Sequence, residues 1–446
     1  MNNANRIGLV RPNLMCLFIS LFLAGFANGQ SIDPALSMRL QDTLDSIRLD
    51  KNIQGISAAV FVHGQGLWTG VSGESYPGVP ISPDMTFGIG SNTKTFTAVM
   101  LMKLVEHNLV SLDDSLFEWL PSYNPNIDSN ITIRQMLNHA SGIANTFDVP
   151  GFLDSLSNDR SRILTTPEVL SWLPAAIYAP GTGQNYSNPN YHLTGLIIEQ
   201  ATGQNLEQLM RDSIFGPLGM GRTFFPIYDS VQNPVANPWH YNVDWNDTIR
   251  TSLLTSQWSA GAMYSTAGDM AYWYNELMNN QFLNPDEFDE MITFTGPQDR
   301  GLGIQQLELN GRTVWGHGGG TFGYISIAAF DTLSKSSVVV LINARPSEPK
   351  VVAGALLSTL AGFPVGSQPI DNSSGTLIIY PNPADNKLWL DIESKGLKEV
   401  RIYNLQGQLL LSDSSPEVSL ESLESGLYII EVETREKCYT QTFMKY

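Results

Sequence analysis

Three short motifs hold the residue types that acyl transfer needs. The first is Gly88-Ile89-Gly90-Ser91-Asn92-Thr93-Lys94, where two glycines precede a serine and a helical pattern follows. A tight turn there puts Ser91 at a helix N-terminus, where backbone N–H groups and the helix dipole favour developing negative charge. Lys94, three residues on, faces the same way on the first helical turn. If burial strips its proton, that lysine can accept the serine's proton and make the hydroxyl a nucleophile. The spacing alone carries little, because Ser347-Glu348-Pro349-Lys350 repeats it. There Pro349 falls inside the would-be turn, with no glycine pair or helical run expected around it.

The second motif is Tyr186-Ser187-Asn188, preceded by Pro180-Gly181-Thr182-Gly183 and followed by a helical pattern. A loop tyrosine near cations can carry a proton, and the Asn188 amide can position a carbonyl. A tyrosine followed two residues later by asparagine also occurs at Tyr380, so this pair means little by itself. The third is Trp315-Gly316-His317-Gly318-Gly319-Gly320, between two apolar runs. Its glycines leave an edge strand without side chains, against whose backbone a substrate can lie. His-Gly-Gly-Gly also forms the oxyanion hole of some α/β-hydrolases, but no Gly-x-Ser-x-Gly lies downstream of it here.

The elements that must position these motifs follow from periodicity. Residues 53–73 read as two strands joined by a hairpin at His63-Gly64-Gln65-Gly66. Further strands are expected at 301–309, 312–315, 325–330 and 337–342. Between the two strand blocks the pattern is helical. From Thr93 onward Phe96, Val99, Met100 and Leu104 share a stripe, and 133–139, 166–173 and 191–201 are further helices. Strands first, helices inserted and strands last describe an α+β domain whose terminal strands meet in one antiparallel sheet.

The motifs occur in the order Ser-x-x-Lys, Tyr-x-Asn, His-x-Gly, separated by 95 and 131 residues. In this the chain resembles the serine β-lactamase and penicillin-binding-protein-like family, specifically its class C branch of D-alanyl-D-alanine carboxypeptidases, D-aminopeptidases and esterases. The likeness covers most of 35–362 and extends to connecting text such as ITIRQMLNHASGI, YSNPNYHLTGLIIEQATGQNL and SAGAMYSTAGDMAYW. It implies a β-lactamase/DD-peptidase-like α+β fold, an antiparallel sheet flanked by helices plus a helical subdomain. It also implies roles. Ser91 is acylated, Lys94 and Tyr186 relay protons, and Asn188 holds the acyl side chain. The backbone N–H groups of Ser91 and Gly320 form the oxyanion hole, and His317, Gly318 and Gly319 line the substrate. No cofactor is implied, and no metal.

Two departures bear on the substrate. Relatives that bind a substrate carboxylate usually have Lys-Thr-Gly or His-Thr-Gly, and Gly318 offers no hydroxyl in the middle position. His317 is mostly neutral at pH 7, so a fixed cation is expected to be missing. Both lean toward an esterase, amidase or D-aminopeptidase. The expected activity is hydrolysis of an ester or amide in a small molecule or peptide through an acyl-enzyme. The alternative is a surface penicillin-binding or peptidoglycan-sensing protein with little turnover.

Composition sets the outer bounds. Of 446 residues 42% are apolar and only 15% charged, enough for a packed core. A net charge of -18 repels phosphate backbones, which argues against a nucleic-acid partner. Cys16 and Cys438 are the only cysteines, which excludes a disulfide framework and any multi-cysteine metal site. The other histidines (His63, His107, His139, His192, His240) lack ligand spacing and read as structural. Asp286, Glu287, Asp289 and Glu290 read as a solvated helix face, and 270–273 as core or pocket wall.

The two ends differ from the middle. Arg6 and Arg11 precede a 13-residue apolar run at 14–26, then Ala27-Asn28-Gly29, which reads as a signal peptide over 1–29. That run is shorter than the roughly 20 residues a membrane helix needs. A hydrolase domain is expected over 30–364, a turn-rich linker over 365–375 and a small all-β sandwich over 376–446. In the last, Leu388, Leu390 and Ile392 share one strand face, as do Tyr428, Ile430 and Val432. Tyr380-Pro381-Asn382-Pro383-Ala384, VRIYNLQGQLL and SGLYIIEV make it resemble the C-terminal sorting domain of the Bacteroidetes type IX secretion system. That implies a secretion machinery as partner and a secreted or cell-surface location beyond the inner and outer membranes.

Overall fold

The computed structural model describes residues 32–121, 124, 126–230, 234–245, 251–279, 282–363, 378–380, 384, 386–391, 397–404, 408–434 and 438–445. The expected signal peptide, the linker at 365–375, Pro381-Asn382-Pro383 and Ile392 lie outside them. Two compact units divide between Leu360 and Ala361.

The first unit is built on a seven-stranded antiparallel sheet. Its strands are β1 (Gly55–Val62), β2 (Gly66–Tyr76), β3 (Val79–Pro80), β4 (Gln305–Leu309), β5 (Arg312–Thr321), β6 (Tyr324–Asp331) and β7 (Ser336–Ile342), in the order β3-β2-β1-β7-β6-β5-β4. The expected hairpin closes with Val62 opposite Gly66. The early and late strand blocks meet where Ala59 pairs with Val339, as the strand–helix–strand layout requires. Every residue of β7 is buried, so both faces of the sheet are covered. Val339 and Leu341 join a core with Met270 and Trp273, and the alternate residues Val338, Val340 and Ile342 face the other layer.

Helix α1 (Pro34–Asp50) starts where the Asp33 carboxylate accepts from the Ala35 and Leu36 amides, with proline at the first turn. Its residues Leu36, Leu40 and Leu44, spaced four apart, are fully buried. Gln41 donates to the Val71 carbonyl of β2 at 3.0 Å, and Thr43 meets Thr359 of α6 (Pro349–Ala361) at 2.8 Å. The remaining long helices are α2 (Thr93–Glu106), α3 (Asn188–Thr202), α4 (Thr251–Gly261) and α5 (Ala267–Met278).

Several sequence expectations shift. Helix α2 is buried on nearly every side rather than along one stripe, with Phe96 stacked on Trp273 at 4.5 Å. Strand β5 continues past Trp315 to Thr321, carrying the glycine motif with it, because cross-strand pairing with β6 holds residues that have no side-chain pattern to read. Residues 301–304 precede β4 instead of belonging to it. Pro349 opens a 13-residue helix, so a helical run does follow Ser347-Glu348 in the second Ser-x-x-Lys match, contrary to expectation.

The second unit contains β8 (Ile378–Tyr380), β9 (Lys387–Asp391), β10 (Leu397–Tyr403), β11 (Leu409–Asp413), β12 (Glu417–Ser419), β13 (Gly426–Thr434) and β14 (Cys438–Lys445). They form two antiparallel sheets, β8-β9-β12 and β11-β10-β13-β14. One core joins Leu388 and Leu390 to Val400, Ile402, Tyr428, Ile430 and Val432, the period-two positions of facing strands.

Candidate active site

The first-unit motifs converge although they are far apart in sequence. The short strand Phe87–Gly88 leads into a single 3-10 turn, Gly90–Asn92, and then into α2. Gly90 has φ +52, and a Cβ there would stand 2.5 Å from the Gly320 amide nitrogen. Only glycine fits, and the Ser91 turn therefore lies directly against the end of β5. Asn92 Nδ2 donates to Ser326 Oγ at 2.9 Å and Ser326 Oγ donates to the Ile89 carbonyl at 2.9 Å, tying the turn to β6.

Around Ser91 the groups form a chain. Tyr186 Oη donates to Ser91 Oγ at 2.5 Å, and Lys94 Nζ stands 3.1 Å from the same oxygen. Lys94 also donates to Asn188 Oδ1 at 2.7 Å and to the Ala260 carbonyl at 2.6 Å. Lys94 is fully buried, and burial, reinforced by the charge of Arg300, holds its pKa well below the ordinary value. A neutral amine has two N–H groups and one lone pair. Ala260 O and Asn188 Oδ1 can only accept, so the lone pair is left for the Ser91 hydroxyl. Burial pushes the Tyr186 phenol up, so it stays protonated and serves as donor.

Other residues hold this chain in place. Asn188 sits on the first turn of α3, which begins three residues earlier than its periodicity suggests. Its Nδ2 donates to Asn145 Oδ1 at 3.1 Å. His139 clamps the backbone on both sides of Tyr186. Its Nδ1 accepts from the Ser187 amide at 3.1 Å, its carbonyl accepts from the Asn185 amide at 3.0 Å, and its ring lies 4.5 Å from that of Tyr186. An accepting Nδ1 requires the neutral ring, and burial lowers the His139 pKa accordingly. This histidine, read from sequence as structural, is a positioning residue for Tyr186.

His317 is buried, with its ring 6.3 Å from Tyr186 and its Nδ1 2.5 Å from the Gly318 carbonyl. Burial above all pushes its pKa down to about 3, so it carries no charge near neutrality. Strand β4 pairs with β5 only as far as Gly316, so from His317 to Thr321 the outer edge of β5 has no strand partner among the described residues. The three following glycines differ. At Gly319 a Cβ would collide with the Ile89 carbonyl, so this residue serves the packing of the Ser91 turn. At Gly318 the nearest atom to a Cβ would be the Ser326 carbonyl oxygen at 3.9 Å, which leaves room. At Gly320 it would face the Arg345 guanidinium at 3.2 Å.

The third-motif position carries no fixed cation, as expected, but a cation reaches the site from elsewhere in the chain. Arg300, in the turn before β4, carries its guanidinium 5.1 Å from the centre of the Tyr186 ring. Gln298 Oε1 accepts from its Nε and one terminal nitrogen at 2.9 and 2.7 Å, and the other terminal nitrogen is buried without a partner among the described residues. No sequence pattern marks this arginine, nor Asn145 or the Ala260 carbonyl. The charges that perturb Lys94, His139, Tyr186 and His317 are all basic, with no carboxylate among them. Elsewhere, Asp286, Glu287, Asp289 and Glu290 lie on the helix Pro285–Met291, where Glu290 pairs with Arg134.

Comparison with known proteins bears on the family and the fold. The family model described as Beta-lactamase matches residues 39–363, and that described as Secretion system C-terminal sorting domain matches 378–446. Penicillin-binding protein 4 of Amycolatopsis lactamdurans is 31% identical over 188 residues, 40% of this chain and 47% of that protein. The chain spans less than half the length of the curated relatives it matches. A crystal structure of a D-stereospecific amidohydrolase from Streptomyces sp. has a TM-score of 0.61 and 28% identity, covering 69% of this chain and 94% of that one. D-amino acid amidase from Ochrobactrum anthropi SV3 shares the fold, with a TM-score of 0.66 at 24% identity over 73% of this chain and 99% of that one.

Proposed function

The chain belongs to the beta-lactamase family over residues 39–363 and carries a secretion sorting domain, and from that membership we propose that it is an exported serine hydrolase acting through an acyl-enzyme on Ser91. The observation that carries the reading is the placement of Ser91 Oγ between Tyr186 Oη at 2.5 Å and Lys94 Nζ at 3.1 Å.

In the proposed reaction Ser91 Oγ attacks the scissile carbonyl carbon as its proton passes to the lone pair of Lys94. The oxyanion is held by the backbone N–H groups of Ser91 and Gly320. Collapse breaks the bond to the leaving group, which takes the phenolic proton of Tyr186, and the Lys94 ammonium restores that proton. Water then attacks the ester carbon and gives a proton back through the same pair, and Ser91 departs as the hydroxyl. His139 and Asn145 hold Tyr186 and Asn188 in register for these transfers.

Arg300 bears on the substrate. Its guanidinium beside Tyr186 suits a carboxylate on the leaving group, in place of the threonine hydroxyl that Gly318 lacks. Among the described residues no carboxylate perturbs Lys94, His139, Tyr186 or His317, which suits the free ammonium of an aminopeptidase substrate poorly. The name of the Streptomyces D-stereospecific amidohydrolase supports an amide substrate of D configuration, and that of the Amycolatopsis protein supports a site that takes penicillin. We therefore favour a D-Ala-D-Ala carboxypeptidase type over the esterase or D-aminopeptidase types. The leader and the sorting domain would carry the protein through the inner and outer membranes.

The test is hydrolysis of p-nitrophenyl butyrate by the full-length chain with and without a penicillin, with Ser91→Ala as blank. Time-dependent slowing by penicillin supports the carboxylate-binding reading. Fast hydrolysis that penicillin leaves untouched supports an esterase or aminopeptidase pocket. Stoichiometric labelling without turnover supports the penicillin-binding alternative, and a rate equal to the blank overturns the mechanism.

A further inference from the structure

Three consecutive glycines make β5 a poor support for an oxyanion hole. Gly318, Gly319 and Gly320 belong to the residue type with the most backbone freedom to lose. From His317 to Thr321 the outer edge of the strand has no strand partner among the described residues. Pairing with β6 fixes the inner edge, where Gly320 faces Ile325 and Thr321 faces Tyr324. Gly319 is braced by the Ile89 carbonyl. Gly320, whose N–H the proposed reaction uses, has no side chain with which to anchor itself.

Thr321, the next residue, carries the anchors that Gly320 lacks. It is buried, its hydroxyl donates to Gln257 Oε1 of α4 at 3.0 Å, and its carbonyl accepts from Arg345 Nη1 at 3.4 Å. Its methyl packs against the strand before the Ser91 turn, so closely that a Cβ on Gly88 would stand 2.7 Å from it. The Arg345 guanidinium also lies across Gly320, 3.2 Å from where a Cβ would be. Each anchor is itself held. Ala344–Arg345 pairs with Trp239–His240, and the Arg345 carbonyl accepts from the Tyr241 amide at 2.8 Å. Gln257 lies just before the Trp258 kink of α4, and Ala260 just after it accepts from Lys94 at 2.6 Å. One end of α4 thus touches both the general base and the oxyanion strand.

We propose that Gln257, Thr321 and Arg345 form a clamp that aims the Gly320 N–H into the oxyanion hole, which makes them positioning residues for acyl transfer. The inference rests on the serine hydrolase reading above. A donor stabilises a developing oxyanion most when it already points at it, because nothing then reorients in the transition state. The clamp supplies from side chains the rigidity that three glycines lack. Its members lie outside the three sequence motifs, with Gln257 and Arg345 respectively 64 and 24 positions from Thr321. Loosening it weakens the hold on the tetrahedral adduct more than the hold on the bound ester.

The test uses the full-length chain with p-nitrophenyl butyrate as substrate and phenylboronic acid, whose adduct with the serine oxygen is a tetrahedral anion, as inhibitor. Thr321→Val keeps the shape and removes the hydroxyl, and Arg345→Met removes the guanidinium. Each should lower kcat about tenfold with KM within about twofold, and raise the boronate Ki by the factor that kcat loses. Thr321→Val combined with Gln257→Leu should be no worse than Thr321→Val alone, because both remove the same bond. Thr321→Ser should recover most of what Thr321→Val loses. The Ki does not depend on the fraction of protein folded, so a damaged variant still gives an answer. Variants of an active wild type that keep kcat and Ki overturn the clamp alone. A kcat that falls only where Tm falls, with Ki unchanged, marks a structural role and also overturns it. An Arg345→Met effect confined to penicillin acylation assigns Arg345 to a substrate carboxylate and overturns its place in the clamp. A wild type no faster than Ser91→Ala overturns the hydrolase reading and the clamp with it.

Discussion

Arg300 lies with its guanidinium 5.1 Å over the ring of Tyr186, at the proton-carrying end of the site. Its charge also helps hold Lys94 in the neutral form. Arg300→Gln should therefore have two effects. Removing the cation lets the Lys94 pKa rise, so the limb of the pH–rate profile that requires neutral Lys94 moves to higher pH. It should also lower kcat/KM by about 10- to 100-fold for a substrate with a leaving-group carboxylate, the size of a lost charge-assisted hydrogen bond. Uncharged esters should show the first effect without the second. Profiles of both substrates that match the wild type would remove Arg300 from the site.

Lys94 couples activity to stability in opposite senses. Its folded pKa is held well below 10.5, so between the folded value and 10.5 the unfolded chain binds a proton that the folded chain does not. Wild-type stability thus rises with pH across that window. Lys94→Met should lower hydrolysis by about 10²–10⁴-fold. The methionine does not titrate, so any stability advantage of the variant at neutral pH should shrink as pH climbs toward 10.5. Denaturant unfolding of both proteins from neutral to alkaline pH checks the sign. A difference that grows with pH would contradict it.

Adjacent glycines of the third motif should respond differently to substitution. Gly318→Thr meets only the Ser326 carbonyl at van der Waals distance, so it should fold normally. The new hydroxyl should speed penicillin acylation about tenfold or more by adding a hydrogen bond to its carboxylate. Gly319→Ala forces a collision with the Ile89 carbonyl behind the Ser91 turn and should cost most of the activity. Acylation rates measured with a labelled penicillin, beside melting curves, separate the two outcomes.

Trp258 breaks α4 with φ 30 and ψ -122, a conformation that costs about 1–3 kcal/mol for a residue with a side chain. Its indole Nε1 donates to the buried Glu207 carboxylate at 2.5 Å, and two residues later Ala260 presents its carbonyl to Lys94. Glu207→Gln keeps an acceptor and should behave nearly as wild type. Glu207→Leu strands the indole N–H at a cost of about 1–3 kcal/mol and should lower both Tm and kcat. If kcat is unchanged while Tm falls, the bond is structural and does not position Ala260.

The sequence by itself determined the three motifs, their order, the strand–helix–strand layout and the separate β-rich tail. These are local matters. Glycines before Ser91, the helical pattern after it and period-two patterning at Leu388 and Leu390 act over a few residues, so they are visible in a linear string. The string also suggested that a cation was missing, because the position where relatives keep one holds His317. Tertiary structure decided the rest. Arg300 meets Tyr186 across 114 positions of sequence, His139 clamps that tyrosine from 47 residues away, and Ala260 acts on Lys94 through a backbone carbonyl that every residue possesses. Such contacts depend on how helices and strands pack and leave no signature of residue type or spacing. Whether Lys94 is neutral likewise depends on burial, a property of the folded chain alone.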